Sequence, residues 1–444
     1  MAVAPGSIPI PARPAAACVI LPTTQDKTPI HPMNRSMPQP PPDPTTDTSP
    51  ARAAAYLVEG GEVYGVAQMV LAEAGGLAAR GWRIEIISLN PGRFVDECRS
   101  AGLNVTALGF GPSPRLTRGS LRDVRTLWTL QRYQRRAARQ VARTLSELSI
   151  DVVNVAWPNL MGIAGRAAHA RRVPCFWAMP NAVGSRWLGL NRWIYQHQCQ
   201  EYGVVPLATS KYTASTLGDQ PVKPIVRYLG VDQNRFNPVT TNSIQRHDIG
   251  IPDHAIVLSI IARIGPEKGQ DRVLQAMLSL ASTSPPLHLL LLGGPTDGPL
   301  ANALRDTAQR AGAADRLHMP GVVTDPHRYY NAIDIAINCR IDPEPFGLSV
   351  IEAMMMRTPV LVHASGGPAE TVIDGVTGWH VPAPTAEAFT AGLRRAITDQ
   401  PRWDQMGAAA QAHANEHFTR DRMVDHYIQI VEQTLNAART TPHD

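Results

Sequence analysis

The sequence predicts an α/β protein with two doubly wound halves, each a parallel sheet with helices on both faces. The chain has 444 residues, of which 44% are apolar, and this is too long for one ordinary core and long enough for two domains. From Ala53 onward, short apolar runs alternate with helical patterns, which is typical of parallel sheets between layers of helices. The alternation begins again after "GDQPVKP", residues 218–224, so a second half is predicted there.

Residues 1–50 differ from the rest of the chain. They hold 13 of the 39 prolines and show no periodic apolar pattern, so we predict a disordered tail rich in Pro, Ala and Thr over residues 1–52. The stretch before Cys18 is interrupted by prolines and offers no apolar segment of a signal peptide. Met33 and Met37 are alternative start sites.

The first half is predicted over residues 53–217 and the second over 218–408, followed by C-terminal helices over 409–444. The first half has a helical pattern at 66–81, and its predicted strands are residues 53–59, 82–89, 150–157 and 173–179. The predicted strands of the second half are residues 255–264, 287–294, 334–339 and 358–364. Ligands of doubly wound sheets bind at the carboxyl ends of the strands, so we expect functional residues in the loops there, around a cleft between the halves.

The composition argues against several other classes of protein. The net charge of +5 is modest for this length, so nucleic acid is not favoured as a partner. The five cysteines are scattered without the spacing of a zinc site or a disulfide framework, which fits a reducing cytoplasm. No apolar run approaches the roughly 20 residues that cross a bilayer.

A basic turn follows the first predicted strand of the second half. The stretch "ARIGPEKGQD" places Arg263 and Lys268 on a glycine-containing turn before a helix. A guanidinium fork and an ammonium beside free backbone amides suit a diphosphate. The alternative is a solvated basic turn.

The stretch "EPFGLSVIEAMMM", residues 344–356, predicts a constrained loop that opens a helix. The backbone amides of Phe346, Gly347 and Leu348 would point from the helix N-terminus at an anion. Glu352, one turn into the helix, is suited to accept hydrogen bonds from ribose hydroxyls, and Glu344 would lie at the mouth of the cleft. The alternative for both glutamates is a surface carboxylate that interacts favourably with the helix dipole.

These motifs together resemble the retaining family-4 glycosyltransferases, which have the GT-B fold of two facing Rossmann-like domains. The pattern E-x-F-G-x-x-x-x-E-A of that family runs here from Glu344 to Ala353. The resemblance extends over most of residues 60–422, through "GGEVYG" (60–65), "GVDQNRFNP" (230–238), "ARIGPEKG" (262–269), "PGVVTDPHRYYNAIDIAIN" (320–338), "GGPAETVIDGVTGWHVP" (366–382) and "HFTRDRM" (417–423).

The resemblance implies a role for each of these positions. Arg263 and Lys268 would hold the donor diphosphate, and Glu352 would hold the nucleotide ribose. Glu344, with the amides of Phe346, Gly347 and Leu348, would hold the sugar and its leaving phosphate. The remaining implied site residue, Gly61, would let the first loop approach the donor closely.

The resemblance also implies how the enzyme works. It would be a hexosyltransferase that needs no metal and no cofactor besides its nucleoside-diphosphate sugar, and the sequence has no D-x-D. The first domain would bind the acceptor, and the last helix would cross back to that domain. From the sequence alone, this helix could equally lie on the surface of the second domain.

The chain departs from the family where relatives carry histidines near the sugar. Asn154 and Ala156 stand at two of these places, and Pro180 and Asn181 stand at a third. Asn181 would supply a hydrogen bond to the sugar, or it is a plain loop residue. Arg340, in a stretch where relatives often have serine, receives no role.

Residues 114–144 form a basic segment with nine arginines and one acid. Two interpretations stay open: an amphipathic helix that contacts anionic lipid or attracts a lipid-linked acceptor, and a solvated arginine face over an ordinary core stripe. The residues at helical spacing, which the second interpretation buries, are Leu121, Val124, Trp128, Val141 and Leu145.

The sequence therefore predicts a cytoplasmic glycosyltransferase that serves bacterial surface-polysaccharide or glycolipid assembly. Contact with the inner face of the cell membrane stays open. Its acceptor would be lipid-linked or an oligosaccharide. Two alternatives remain: a non-catalytic nucleotide-sugar-binding protein, and a nicotinamide-dependent oxidoreductase. The second is weakened because "GGEVYG" has Glu62 at the second glycine of G-x-G-x-x-G.

Overall fold

The structure, a computed structural model, describes residues 52–62, 65–114, 124–184, 189–280, 282 and 285–440. Within these residues the first sheet is parallel, with strands in the order β3-β2-β1-β4-β5-β6-β7. Its strands are β1 (Ala53–Val58), β2 (Arg83–Ser88), β3 (Asn104–Ala107), β4 (Val152–Val155), β5 (Cys175–Met179), β6 (Val204–Ala208) and β7 (Ile225–Val226).

The second sheet is also parallel, in the order β10-β9-β8-β11-β12-β13. Its strands are β8 (Ile256–Ile261), β9 (Leu287–Leu292), β10 (Leu317–Gly321), β11 (Ile335–Asn338), β12 (Val360–His363) and β13 (Gly378–Val381). The two sheets confirm the predicted α/β class with two doubly wound halves.

Helices cover both sheets. Those of the first half are α1 (Gly65–Ala78), α2 (Arg93–Ser100), α3 (Val124–Glu147), α4 (Pro158–Arg171), α5 (Leu190–Tyr202) and α6 (Lys211–Thr216). Those that follow are α7 (Gln270–Ser279), α8 (Pro299–Arg310), α9 (Leu348–Met355), α10 (Pro368–Thr371), α11 (Ala386–Thr398), α12 (Trp403–His417) and α13 (Arg420–Thr440).

The strand order reverses once in each sheet. In the first sheet β1 pairs with β4, and in the second β8 pairs with β11. At such a switch point the loops after the two neighbouring strands diverge and leave a crevice at the carboxyl edge of the sheet. The loops after β8 and β11 carry the predicted basic turn and the predicted Glu344 loop.

All eight predicted strands and the predicted helix at 66–81 are present, with ends within three residues of the prediction. Five strands were not predicted: β3, β6, β7, β10 and β13. The last strand of the first sheet, Ile225–Val226, lies beyond the predicted boundary at residue 217. The predicted tail lies outside the described residues except for Arg52, whose Nε lies 3.2 Å from Oε1 of Glu432.

The last helix, α13, packs against α1 of the first half. The buried phenol of Tyr427 donates a hydrogen bond of 2.7 Å to Oδ1 of Asn154 on β4. On the exposed side, Arg80 Nε lies 2.6 Å from Asp425 Oδ1. These contacts agree with a C-terminal helix that crosses back to the first half.

The basic segment has a buried and an exposed part. Residues 115–123, including Leu121, lie outside the described range. On α3, Val141 and Leu145 are buried, as the second interpretation expects, whereas Trp128 is 61% exposed and lies outside this core. The second half of α3 supplies the buried residues of this core, including Ala137 and Ala138.

Candidate functional site

The loops after β8 and β11 are held against each other at the second switch point. The thiol of Cys339, at the end of β11, donates to the carbonyl oxygen of Lys268 over 2.9 Å. Gly269 has φ +71°, and a β-carbon there would lie 2.2 Å from the carbonyl oxygen of Cys339. The glycine after Lys268 is therefore required for the two loops to approach this closely.

This packing brings Lys268 and Glu344 together. Lys268 Nζ lies 3.2 Å from Oε2 of Glu344, and Arg340 Nη1 lies 3.3 Å from Oε1 of the same carboxylate. The Glu344 side chain is 13% exposed, and its place at the mouth of the cleft stays a prediction. Two cations around one carboxylate leave this cluster with a net charge of +1, which favours an anionic ligand nearby.

Arg340 is a candidate that the sequence did not provide. The signal was a cation four positions before Glu344, but in a loop this spacing does not fix which side chains meet. The contact depends on the exit of β11 beside the ends of β8 and β12.

Arg263 lies apart from this cluster. Its side chain is 64% exposed and pairs with Glu267, within the same turn. Of the predicted diphosphate pair, the structure therefore brings Lys268 to Glu344 and leaves Arg263 at the surface.

The loop after Glu344 opens α9 as predicted. Gly347 has φ +92°, a conformation that favours glycine. Among the described residues, the backbone amides of Phe346, Gly347 and Leu348 have no hydrogen-bond acceptor. The loop packs against Gly366, whose β-carbon, if present, would lie 2.2 Å from the carbonyl oxygen of Glu344. Three free amides at a helix start can bind an anion.

Glu352 faces a different space, which we call the Glu352 cavity. It has a volume of about 630 Å³ and is lined by both halves, including Gln68, Met69, Arg235, Leu348 and Glu352. Burial raises the pKa of Glu352 to about 7, although the Arg235 guanidinium and a hydrogen bond from Tyr330 oppose the shift. Near pH 7 this carboxyl group is therefore divided between its neutral and ionised forms.

Asn181 and Arg340 line a second space between the halves, the interface cavity. Its volume is about 550 Å³, and its wall includes Trp157, Trp177, Asn181, Tyr212 and Arg340. The exposed Asp342 also lines it. The loop that carries Glu344 thus meets the loops after β4 and β5 of the first half.

Gly61 lies in a third space, the first-loop cavity, at the carboxyl edge of the first sheet. It has a volume of about 700 Å³ and is lined by residues that include Glu59, Gly61, Glu62, Asn90 and Trp157. Trp157 also lines the interface cavity. Among the described residues, a β-carbon at Gly61 would meet no atom within 4 Å, so these residues do not themselves require a glycine there.

Asn154 does not belong to the site. Its side chain is buried and accepts the hydrogen bond from Tyr427, because alternate residues of β4 face opposite sides of the sheet. Of the two positions noted in this stretch, Ala156 lines the interface cavity.

Glu370 is a second residue that the sequence did not single out. Its carboxylate accepts hydrogen bonds from the amides of Lys211 (2.9 Å) and Tyr212 (2.8 Å) at the start of α6, and from the Tyr228 hydroxyl (3.1 Å). Next to it, the carbonyl oxygen of Pro345 accepts a hydrogen bond of 2.6 Å from Ser210. The Glu344 loop is thereby joined to the first half.

Two family models match most of the described chain. Residues 242–413 match the model described as "Glycosyl transferases group 1", and residues 64–227 match the "Glycosyl transferase 4-like domain". The chain belongs to this family of GT-B glycosyltransferases. Membership makes the protein an enzyme of the transferase class and excludes the oxidoreductase alternative.

The glycosyltransferase is similar to several curated proteins. It is 29% identical over 322 residues to the "GDP-mannose-dependent alpha-(1-6)-phosphatidylinositol monomannoside mannosyltransferase" of Mycolicibacterium smegmatis, covering 68% of this chain and 82% of that protein. It is 34% identical over 204 residues to the "D-inositol 3-phosphate glycosyltransferase" of Streptomyces scabiei, covering 44% of this chain and 45% of that protein. The chain thus spans about half the length of the inositol-phosphate enzymes it matches.

Solved structures share the fold. A glycosyltransferase from Rickettsia africae superposes with a TM-score of 0.72 at 18% identity, covering 86% of this chain and 99% of that one. Anabaena HepE in complex with UDP gives the same TM-score and identity, covering 86% of this chain and all of the other. At this identity the likeness shows the GT-B fold alone.

Two features are absent from the described residues. No helix there is long and apolar enough to cross a membrane. No group of three or more His, Cys, Asp or Glu side chains in the same residues is arranged to hold a metal ion.

Proposed function

We propose that this glycosyltransferase moves a hexose from a nucleoside-diphosphate sugar to an acceptor hydroxyl with retention of configuration. The observation that carries the proposal is the cluster of Lys268, Arg340 and Glu344 beside the free amides at the start of α9. It combines a net positive charge and amide donors with one carboxylate, which suits a sugar diphosphate. Retention follows from the family resemblance.

The leaving diphosphate would lie against Lys268 and the amides of Phe346, Gly347 and Leu348. Negative charge grows on the oxygen that joins the diphosphate to the sugar as this bond breaks, and the released diphosphate would take the proton of the acceptor hydroxyl as the new bond to the sugar forms. Donors that are already in place stabilise that charge more in the transition state than in the ground state. Arg263, exposed on its turn, can swing to the distal phosphate. These positive groups take the part of a metal ion in the proposed reaction.

The sugar and the nucleoside would be held by separate carboxylates. Glu344 would accept hydrogen bonds from sugar hydroxyls, and Asn181 would donate to the sugar from across the interface cavity. Glu352 would accept hydrogen bonds from the ribose hydroxyls. The Glu352 cavity, at about 630 Å³, has the size of a small-ligand pocket.

The acceptor would enter through the first-loop cavity. This cavity meets the interface cavity at Trp157, so an acceptor ring beside Trp157 could direct a hydroxyl toward the sugar. Glu59 and Asn90 offer polar groups for such a ring. The names of the relatives refer to phosphatidylinositol mannoside and inositol phosphate acceptors, and we propose a lipid-linked or oligosaccharide acceptor for this enzyme.

Contact with an anionic membrane is proposed for the exposed side of α3, in the cytoplasm. Exposed arginines of α3, including Arg132, Arg135 and Arg139, lie on one helix with the exposed Trp128. Basic and aromatic side chains on one surface favour the interface of an anionic bilayer, consistent with a role in surface-polysaccharide or glycolipid assembly.

A thermal-shift panel tests the donor assignment first. Wild-type protein and the Arg263→Ala, Lys268→Ala double variant would be incubated with UDP-, GDP- and ADP-sugars, with NAD and NADP as controls. We expect one class of nucleotide sugar to raise the melting temperature of the wild type and to lose this effect in the variant. Stabilisation by NAD or NADP alone would contradict the proposal.

A further inference from the structure

We propose that Arg340 is a positioning residue that holds Glu344 in place while Lys268 engages the donor diphosphate. This inference rests on the proposed function and adds to it a side chain that touches neither the diphosphate nor the ribose in that scheme. It is carried by the two separate ion pairs of one carboxylate.

The two oxygens of Glu344 have different cationic partners. Lys268 Nζ lies 3.2 Å from Oε2, and Arg340 Nη1 lies 3.3 Å from Oε1. Because each oxygen has its own cationic partner, the loss of one ion pair leaves the carboxylate held by the other.

Lys268, the partner of Oε2, has a second anionic ligand in the proposed scheme, which is the diphosphate. The diphosphate carries more negative charge than a carboxylate, so the Lys268 ammonium is drawn toward it when the donor binds. Glu344 would then lose much of its pairing at the moment when an anionic donor comes close to it. Repulsion between the diphosphate and an unpaired carboxylate would turn Glu344 away from the sugar.

Arg340 has no such competition in the proposed scheme, and its backbone is fixed on two sides. Its carbonyl oxygen accepts a hydrogen bond of 2.8 Å from Nδ1 of the buried His363, at the end of β12. The preceding residue, Cys339, is buried and bonded to the loop of Lys268. The Arg340 side chain is 25% exposed. It therefore reaches Glu344 from rigid strand ends rather than from a free loop.

The geometry also explains why the interface cavity matters to Glu344. Arg340 lines that cavity together with Asn181, the residue proposed to contact the sugar from the other half. Arg340 thus lines substrate space while its Nη1 contacts the carboxylate. An arginine at this position links the wall of the cavity to the residue proposed to bind the sugar.

The test is a kinetic comparison of Arg340→Gln, Arg340→Lys and wild type with the donor found by the thermal-shift panel. We expect Arg340→Gln to lower kcat by ~10- to 100-fold, as for a misplaced reacting group, while the donor-induced thermal shift changes little. Arg340→Lys should recover part of the loss, since an ammonium can pair with one oxygen. Arg395→Gln is the matched control, because Arg395 forms a surface pair with Asp374 at 2.9 Å and should leave kcat unchanged.

A double-variant cycle separates positioning from a general loss of stability. If Arg340 acts through Glu344, adding Arg340→Gln to Glu344→Gln should cost little more than Glu344→Gln alone. Guanidinium ion at sub-denaturing concentration should restore part of the activity of Arg340→Ala. Additive losses in the cycle, or wild-type kcat in Arg340→Gln, would overturn the proposal. A wild type that binds no nucleotide sugar would instead overturn the proposed function.

Discussion

Glu344 and Glu352 are eight positions apart, yet the structure gives them different surroundings. Glu344 lies between two cations at the loop before α9, whereas Glu352 lies on α9 beside the buried Tyr330 and lines another cavity. If the first holds the sugar and the second the ribose, only the first contacts the group that reacts. Substitutions of Glu344 and Glu352 should therefore affect different kinetic quantities.

We predict that Glu344→Ala lowers kcat by ~100-fold with a smaller change in donor affinity, because a contact to the reacting sugar strengthens in the transition state. Glu352→Ala should mainly weaken donor binding, by ~10-fold or more, because it removes acceptors for two ribose hydroxyls. Steady-state kinetics with a titration of the donor would measure both effects. Equal and negligible losses in the two variants would reject the assignment.

The raised pKa of Glu352 predicts a pH dependence of donor binding. Below about pH 7 the buried carboxyl group is mostly neutral, and a neutral group is a weaker acceptor for ribose hydroxyls. Donor affinity of the wild type should therefore increase between pH 6 and pH 8. The same increase should be absent in Glu352→Gln, and a wild type with constant affinity over this range would contradict the prediction. The exposed Glu416 provides a control variant, Glu416→Gln.

The same pKa determines the sign of a stability effect. Between the ordinary value of 4.5 and about 7, the unfolded chain ionises at Glu352 while the folded protein keeps its proton. The group therefore destabilises the fold increasingly as the pH rises through this window, and by a constant amount above it. We expect Glu352→Gln to be more stable than wild type at pH 8, by up to about 3 kcal/mol, and nearly equal at pH 4. Urea unfolding at the two pH values would measure the difference.

At the scale of elements, the sequence predicted the buried strands and missed those with weak patterns. The predicted strands β1 and β9 are fully buried, and all their residues except His288 are apolar. Of the five missed strands, β3, β7, β10 and β13 lie at sheet edges, where one side lacks a neighbour and polar residues are tolerated. The fifth, β6, contains Pro206, which weakens a strand assignment.

The candidate site was predicted only in part, because local sequence patterns do not contain all of its contacts. Glu344, Glu352 and Lys268 belong to local motifs whose glycines and prolines report a constrained backbone. Arg340 and Glu370 acquire their partners through tertiary contacts, from β12 and from α6, that no local pattern contains. Asn154 stands where relatives carry a histidine, but strand alternation turns it toward α13, and the local sequence does not reveal that contact.

The contact between β4 and α13 provides a test at this scale. Asn154→Ala should lower the free energy of unfolding by about 1–3 kcal/mol, because it leaves the buried Tyr427 hydroxyl without an acceptor. The double variant Asn154→Ala, Tyr427→Phe should lose less than the sum of the single losses. Thermal or urea unfolding measures the cycle. The kcat of Asn154→Ala at a temperature where the variant is folded should stay near that of the wild type. A large loss of kcat under these conditions would indicate that Asn154 belongs to the site.

At the scale of the whole molecule, the two halves are joined beside the proposed chemistry. The carbonyl oxygen of Pro345 accepts from Ser210, and Glu370 accepts from two amides of α6 and from Tyr228. Burial, with a smaller contribution from Glu370, raises the pKa of Tyr228 to about 12, so its hydroxyl remains a donor throughout the working range of pH. The relative position of the halves and the position of the Glu344 loop are thus set by the same contacts.

This arrangement predicts that Glu370→Ala affects both the shape of the enzyme and its turnover. The variant loses three hydrogen bonds between the halves, so the population of open conformations should increase. Small-angle scattering of the variant without ligand should give a larger radius of gyration than that of the wild type. The kcat/KM for the donor should fall by ~10-fold, because part of the donor's binding free energy is then used to close the two halves. Glu370→Gln retains one acceptor oxygen and should lie between the two. If the alanine variant scatters like wild type but loses activity, Glu370 acts on the site loop without holding the halves together, and if neither quantity changes, the α6 contact has no role in closure.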